Sequence, residues 1–223
     1  TIVGDPSTGE AEFIPGLVTT EIASIELGPA VALFLLLSAV AHLLLVVPGI
    51  YEWYRENLKK GLNIARWFEY SFSSSIMLVL IAILSGMFDA PSLILLFFLN
   101  ATMIWFGHVM EVHKQTTEKT NWLSFIYGSL AGLVPWAIIA WYFFAALNNI
   151  DAPELEGEVP PTFVYFILGS LFVFFNTFAL NMFLQYKKVG PWKNYLFGEA
   201  MYIVLSLLAK SALAWQVFGG TLR

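Results

Sequence analysis

With 223 residues, of which 58% are hydrophobic and only 12% charged, and a mean hydropathy of +0.73, the chain carries too little charge to cover a water-exposed surface; soluble domains run about 45–50% apolar and about 25% charged. This is the composition of an integral membrane protein, and the 17% aromatic content suits a lipid-facing bundle or an aromatic-lined pocket. Cysteine is absent, which excludes disulfides and thiolate metal sites, and the net charge of −5 gains meaning only once the charges are placed along the chain.

The chain opens at Thr1 without a Met or a signal-like segment, as a processed chain or a fragment would. Residues 1–27 are polar and acidic, with "FIPGLVTTEI" expected to form short strands in a loop or small ribbon outside the membrane. A spanning helix needs about 20 mostly apolar residues. Six stretches qualify, at about 28–48, 64–88, 91–112, 122–147, 162–186 and 195–218, giving a single all-α transmembrane domain over 1–223. Pro135 is expected to kink the fourth, which membrane helices tolerate when neighbours satisfy the freed backbone.

The basic residues predict an orientation. Arg55, Lys59 and Lys60 fall between the first two spans with Arg66 at the adjoining helix end, Lys114 and Lys119 between the third and fourth, and Lys187, Lys188 and Lys193 between the fifth and sixth. The alternate connections, "DAP" and "NNIDAPELEGEVPP", carry no base. Lys/Arg bias marks the cytoplasmic side, so both termini are expected outside, in a multi-pass protein of the plasma membrane.

Lys210 lies inside the sixth span, in "SLLAKSALAW". A charge there costs roughly 2.5–3.5 kcal/mol even on the lenient insertion scale, so it asks for a partner. Glu69, in "RWFEYSFSSS", is the best candidate; long helical side chains lean toward the helix N-terminus, which brings the lysine toward the depth of that carboxylate. Ser206 and Ser73 stand one turn from Lys210 and Glu69 on the same faces. Plainer readings stay open: Glu69 paired with Arg66 at i−3, Lys210 snorkelling to the interface, His42 as a hydrogen-bonded core residue, Glu199 and His108 as interface residues, and Trp105, Trp136 and Phe175 as packing. A mid-membrane lysine also has a covalent solution, condensation with a carbonyl to a Schiff base whose proton a carboxylate would hold.

Four motifs, "GPAVALFLLLSAVAHL", "RWFEYSFSSS", "FVFFNTFALN" and "SLLAKSALAW", together resemble the heliorhodopsins over essentially the whole chain. The resemblance implies a seven-helix rhodopsin-type bundle, all-trans retinal on the last-helix lysine, a glutamate counter-ion on the third helix, homodimers, and an inverted topology that agrees with the charge bias. The six spans here would be helices two to seven, the first having no counterpart in this chain. Carried over, Lys210 is the retinal lysine and Glu69 the counter-ion, with Ser206 hydrogen-bonding near the Schiff base. His42 matches a histidine of the polar cavity near the Schiff base, and Asn100 and Phe175 match pocket positions.

Proton pumps of the wider microbial rhodopsin group carry a helix-three carboxylate, a hydroxyl four residues on, a second carboxylate seven beyond that, and an acid four before the lysine. Here those positions read Glu69, Ser73, Leu80 and Ser206. The expected function is therefore a photoreceptor without ion pumping, acting through a separate signalling protein; a light-gated or light-modulated ion pathway is the alternative. No nucleophile–base pair or metal cluster points to an enzyme. Membrane lipids are expected around the bundle, and no nucleic-acid partner is.

Overall fold

The computed structural model describes residues 2–4, 11–13, 21–117, 119–148 and 160–221. Strands β1 (Ile2–Gly4) and β2 (Ala11–Phe13) pair antiparallel, with Ile2 opposite Phe13. The ribbon thus begins earlier in the chain than "FIPGLVTTEI"; residues 14–20 of that stretch lie outside the described residues, and 21–26 form no strand.

Among the described residues, six helices are long and apolar enough to cross a membrane: α1 (Leu27–Leu44), α3 (Ile64–Leu84), α4 (Ala90–Thr116), α5 (Leu123–Asn148), α6 (Thr162–Lys187) and α7 (Tyr195–Thr221). Their ends follow local chemistry. α1 stops at Leu44, short of the expected 48, because Pro48 cannot continue a helix and Gly49 adopts φ 87°. Gly49 then starts the short helix α2 (Ile50–Lys59), in a stretch whose mixed polarity points only to a connection between two spans. α3 is capped by Asn63, whose side chain accepts from the Arg66 amide at 3.1 Å, and it ends before Gly86, at φ 93°. Asp89 caps α4 through the Ser92 amide at 3.0 Å. α5 runs on through the buried Pro135.

α3 is the hub. It packs against α1 and α4, touches α5 and α6, and the ring closes through α6–α7 and α7–α1 contacts. The burial pattern is that of a membrane bundle: Leu95, Phe98, Leu130, Trp141, Phe166 and Leu207 face outward, while Arg66, Glu69, Ser73, Asn100, Glu111, Glu199 and Lys210 are buried. Polar groups in a lipid-embedded bundle gather inside, where other polar groups can satisfy them. Two apolar cores bracket them. The larger holds Phe34, Met77, Leu78, Ile81, Ile167, Leu171 and Leu213. The smaller, toward the lysine-rich end, holds Trp67, Tyr70, Met110, Met182 and Tyr202. The architecture is an all-α rhodopsin-type bundle.

Candidate functional site

Lys210 and Glu69 meet. Lys210 Nζ lies 2.7 Å from Glu69 Oε1, both side chains buried, so α7 and α3 are joined by an ion pair in the bundle interior. A third member, Ser38 of α1, completes the cluster: its hydroxyl accepts from Lys210 Nζ and donates to Glu69 Oε1, each at 2.5 Å. Ser38 Oγ also lies 3.2 Å from the Phe34 carbonyl. A hydroxyl has a single proton, and the nearer, charged acceptor takes it. The Tyr70 ring sits 5.4 Å from Lys210 Nζ, presenting its electron-rich face to the cation.

Beside the amine opens a cavity lined by Tyr70, Ser73, Ser74, Met77, Ile104, Phe175, Phe178, Ser206, Ala209 and Lys210. Ser73, Ser206 and Phe175, singled out in the sequence, therefore share one wall-set with Lys210. Asn100 does not reach this cavity; its amide donates to Ser74 Oγ at 2.9 Å and Ser75 Oγ at 3.0 Å, one layer behind the lining. His42 lies on the exposed flank of α1, its Nδ1 2.7 Å from the Ser38 carbonyl. It lines a second cavity that Glu69 shares with Tyr54, Asn63, Arg66 and Glu199. On α2, burial and then the Glu199 carboxylate push the Tyr54 phenol above its usual range.

The rival pairing of Glu69 with Arg66 does not form. Arg66 turns instead to two other carboxylates: Nη2 is 2.7 Å from Glu111 Oε1, and Nη1 is 3.0 Å from Glu199 Oε1, close in charge though without hydrogen-bond geometry. Glu111 also accepts from Trp67 Nε1 at 2.6 Å and from the Asn63 amide at 3.0 Å. Glu199 accepts from Asn63 Nδ2 at 2.7 Å and Gln185 Nε2 at 3.2 Å. The guanidinium also lies over the Trp67 and Tyr202 rings, at 4.1 and 3.9 Å, and those two rings meet edge-on. A Cβ on Gly107 would run into the Trp67 ring, so this glycine lets the indole lie against α4 and reach Glu111 one turn on.

Two readings are thereby corrected. Glu199 is not an interface residue but buried, and Arg66, counted with the loop cations, is buried too; in both cases a position near a helix end hid a side chain turned inward. His108 is half-buried, its ring edge-on to Trp105 and its Nδ1 without a partner. Sequence reasoning missed Ser38 and Glu111. For Ser38 the signal was its position one turn before His42 in an otherwise apolar helix; for Glu111 it was a lone acid among apolar residues at the end of α4.

The lining suits an apolar group attached at Lys210. Its walls are aromatic and aliphatic, and two buried polar atoms at the amine end, Ser73 Oγ and Glu69 Oε2, have no hydrogen-bond partner. Pockets of this kind, mostly apolar with a few convergent polar groups, bind small molecules. A search of curated proteins finds no match. A family model, that of the heliorhodopsins, matches residues 5–222. The chain belongs to the heliorhodopsin family, retinal-binding, light-sensing rhodopsins of the membrane.

Proposed function

We propose that the protein is a photoreceptor in which Lys210 carries all-trans retinal as a protonated Schiff base and Glu69 is the counter-ion, with no ion pumping. The observation that carries this reading is the single buried Lys210–Glu69 pair, bridged by Ser38, at the end of an aromatic cavity. When bound, retinal supplies visible absorption and a light-driven change of shape. The chain's own residues do the rest. Glu69 Oε1 holds the proton at Lys210 Nζ by opposite charge, and Ser38 fixes that carboxylate oxygen from the other side. Phe175, Phe178, Met77 and Ile104, which line the cavity, would hold the bound group and exclude water, which would strengthen the Nζ–carboxylate attraction. Ser73 and Ser206 offer hydroxyls next to the amine, and Asn100 steadies Ser74 from behind.

The two ends of the bundle support sensing over transport. From Glu69 toward the lysine-rich end, one cavity holds His42, Arg66 and Glu199. Toward the opposite end the path is closed by Phe34, Met77, Leu78, Leu80, Ile81, Leu213 and Val217, with no buried titratable side chain among the described residues there. A proton released at Lys210 has buried titratable neighbours on one side alone among the described residues, so it returns rather than crosses. The cavity containing His42 and Glu199 is what favours the alternative, a light-gated or light-modulated ion pathway. The lysine distribution supports a cytoplasmic lysine-rich end and an extracellular C-terminus in the plasma membrane; a homodimer and a separate signalling protein complete the proposal. The test is illumination of cells or liposomes containing the protein while pH and current are recorded. The sensor reading expects no sustained photocurrent, and a sustained one overturns it.

A further inference from the structure

At the lysine-rich end the bundle opens into a concave mouth formed by the end of α2, the end of α4 with the start of the α4–α5 link, the end of α6, and the α6–α7 link. Lys60, Lys188 and Lys193 converge on it together with Lys59 and Lys114, which have partners of their own, and no carboxylate stands among its described lining residues. Lys59 also pairs with Glu56 at the exposed rim, at 2.7 Å. The segments bearing the lysines are anchored. Gln115 Nε2 donates to the Lys60 carbonyl at 2.9 Å, tying the end of α2 to the end of α4. Lys188 terminates α6 at φ 53°, and Lys193 closes a short 3-10 turn over 190–193 that Trp192 fastens to Asn181 Oδ1 at 2.6 Å. The floor is anchored too: Gln185 bonds Glu199, and the Tyr195 hydroxyl bonds Glu111 at 3.3 Å.

Gathering like charges in a concavity is unfavourable until an anion enters, and the same field then attracts and holds that anion. Lysine ammonium groups are compact point charges suited to phosphate oxygens, and three of them, Lys60, Lys188 and Lys193, already exceed what a single carboxylate needs. Basic pockets between helices at the headgroup level of the cytoplasmic leaflet are one setting for such chemistry. We propose that this mouth is a binding site for an anion bearing two or more phosphates, drawn either from an anionic lipid headgroup or from a soluble oligophosphate.

The test uses the full chain in phosphatidylcholine nanodiscs, titrated calorimetrically with inorganic triphosphate. In parallel, native mass spectrometry follows the protein in nanodiscs that also contain a phosphatidylinositol bisphosphate. The parent is expected to bind one of the two, less tightly as salt is raised. The double variant Lys60→Gln/Lys193→Gln is expected to bind about thirtyfold more weakly, while Arg55→Gln, outside the mouth, matches the parent. Triphosphate binding in pure phosphatidylcholine assigns a soluble ligand; retention of the phosphoinositide without triphosphate binding assigns a headgroup. If the double variant loses its helical signal, the single variants Lys60→Gln and Lys193→Gln carry the test, each at about fivefold. Parent and variants binding both probes equally, or not at all, overturns the proposal.

Discussion

Two buried charge clusters lie along α3, one turn apart in sequence and opposite in construction. At Glu69 one cation meets one carboxylate, a serine bridges them, and a carboxylate oxygen and a neighbouring hydroxyl are left without partners beside a cavity. At Arg66 one cation meets two carboxylates, whose oxygens are filled by donors from α3, α6, α7 and the residue that caps α3, with the Trp67 and Tyr202 rings against the guanidinium. The first leaves acceptors unfilled where a ligand would sit; the second has its carboxylate oxygens filled, with only donors of Arg66 and the Tyr202 hydroxyl left over, and ties α3, α4, α6 and α7 together. A buried network in which nearly every acceptor is filled rigidifies its surroundings, whereas one with unfilled acceptors is free to rearrange. The difference divides the labour: colour and proton chemistry belong to Glu69, the frame belongs to Arg66.

The strongest way to break that division is Arg66→Ala. It strands two buried carboxylates, so a loss of about 3–5 kcal/mol is expected, read as a lower unfolding temperature in detergent, with the absorption maximum of the surviving folded protein little changed. A large colour shift without loss of stability would reverse the assignment. Glu69→Gln is expected to do the opposite. Its visible band moves to longer wavelength and the chromophore loses its proton at a less alkaline pH, because the fixed negative charge that held it is gone. A spectrum and titration equal to the parent's would remove Glu69 from the role. Ser38→Ala sharpens the contrast at smaller scale. It removes the two hydrogen bonds of the bridge, each worth about 1 kcal/mol, and is expected to shift the band in the same direction as Glu69→Gln but by less; a shift of the opposite sign would mean that Ser38 does not hold Glu69.

The first cluster was legible in the sequence and the second was not, for a physical reason. Lys210 stands alone in an apolar stretch, so its cost is visible without any contact map, and Glu69 was the best candidate deep enough to offset it. Ser38 gave no such signal, since a serine in a membrane helix can satisfy itself on the preceding turn, as Ser74, Ser75 and Ser85 do here. Arg66, Glu111 and Glu199 sit near helix ends, where a charge is ordinarily solvated, and their partners lie 45 or more positions away. Only the packing of α3 against α4 and α7 turns them inward. The helices were readable from hydropathy, but α2 was not, because ten residues of mixed polarity between two spans read equally well as a loop.

The central claim is that Lys210 carries the chromophore. Its most direct measurement is the visible spectrum after reconstitution with all-trans retinal, in Lys210→Ala and in Lys210→Ala/Glu69→Gln, where no lone buried charge remains to compromise folding. Both variants are expected to keep the far-ultraviolet helical signal of the parent and to show no visible band; a band of parental position and intensity in either one would contradict the account.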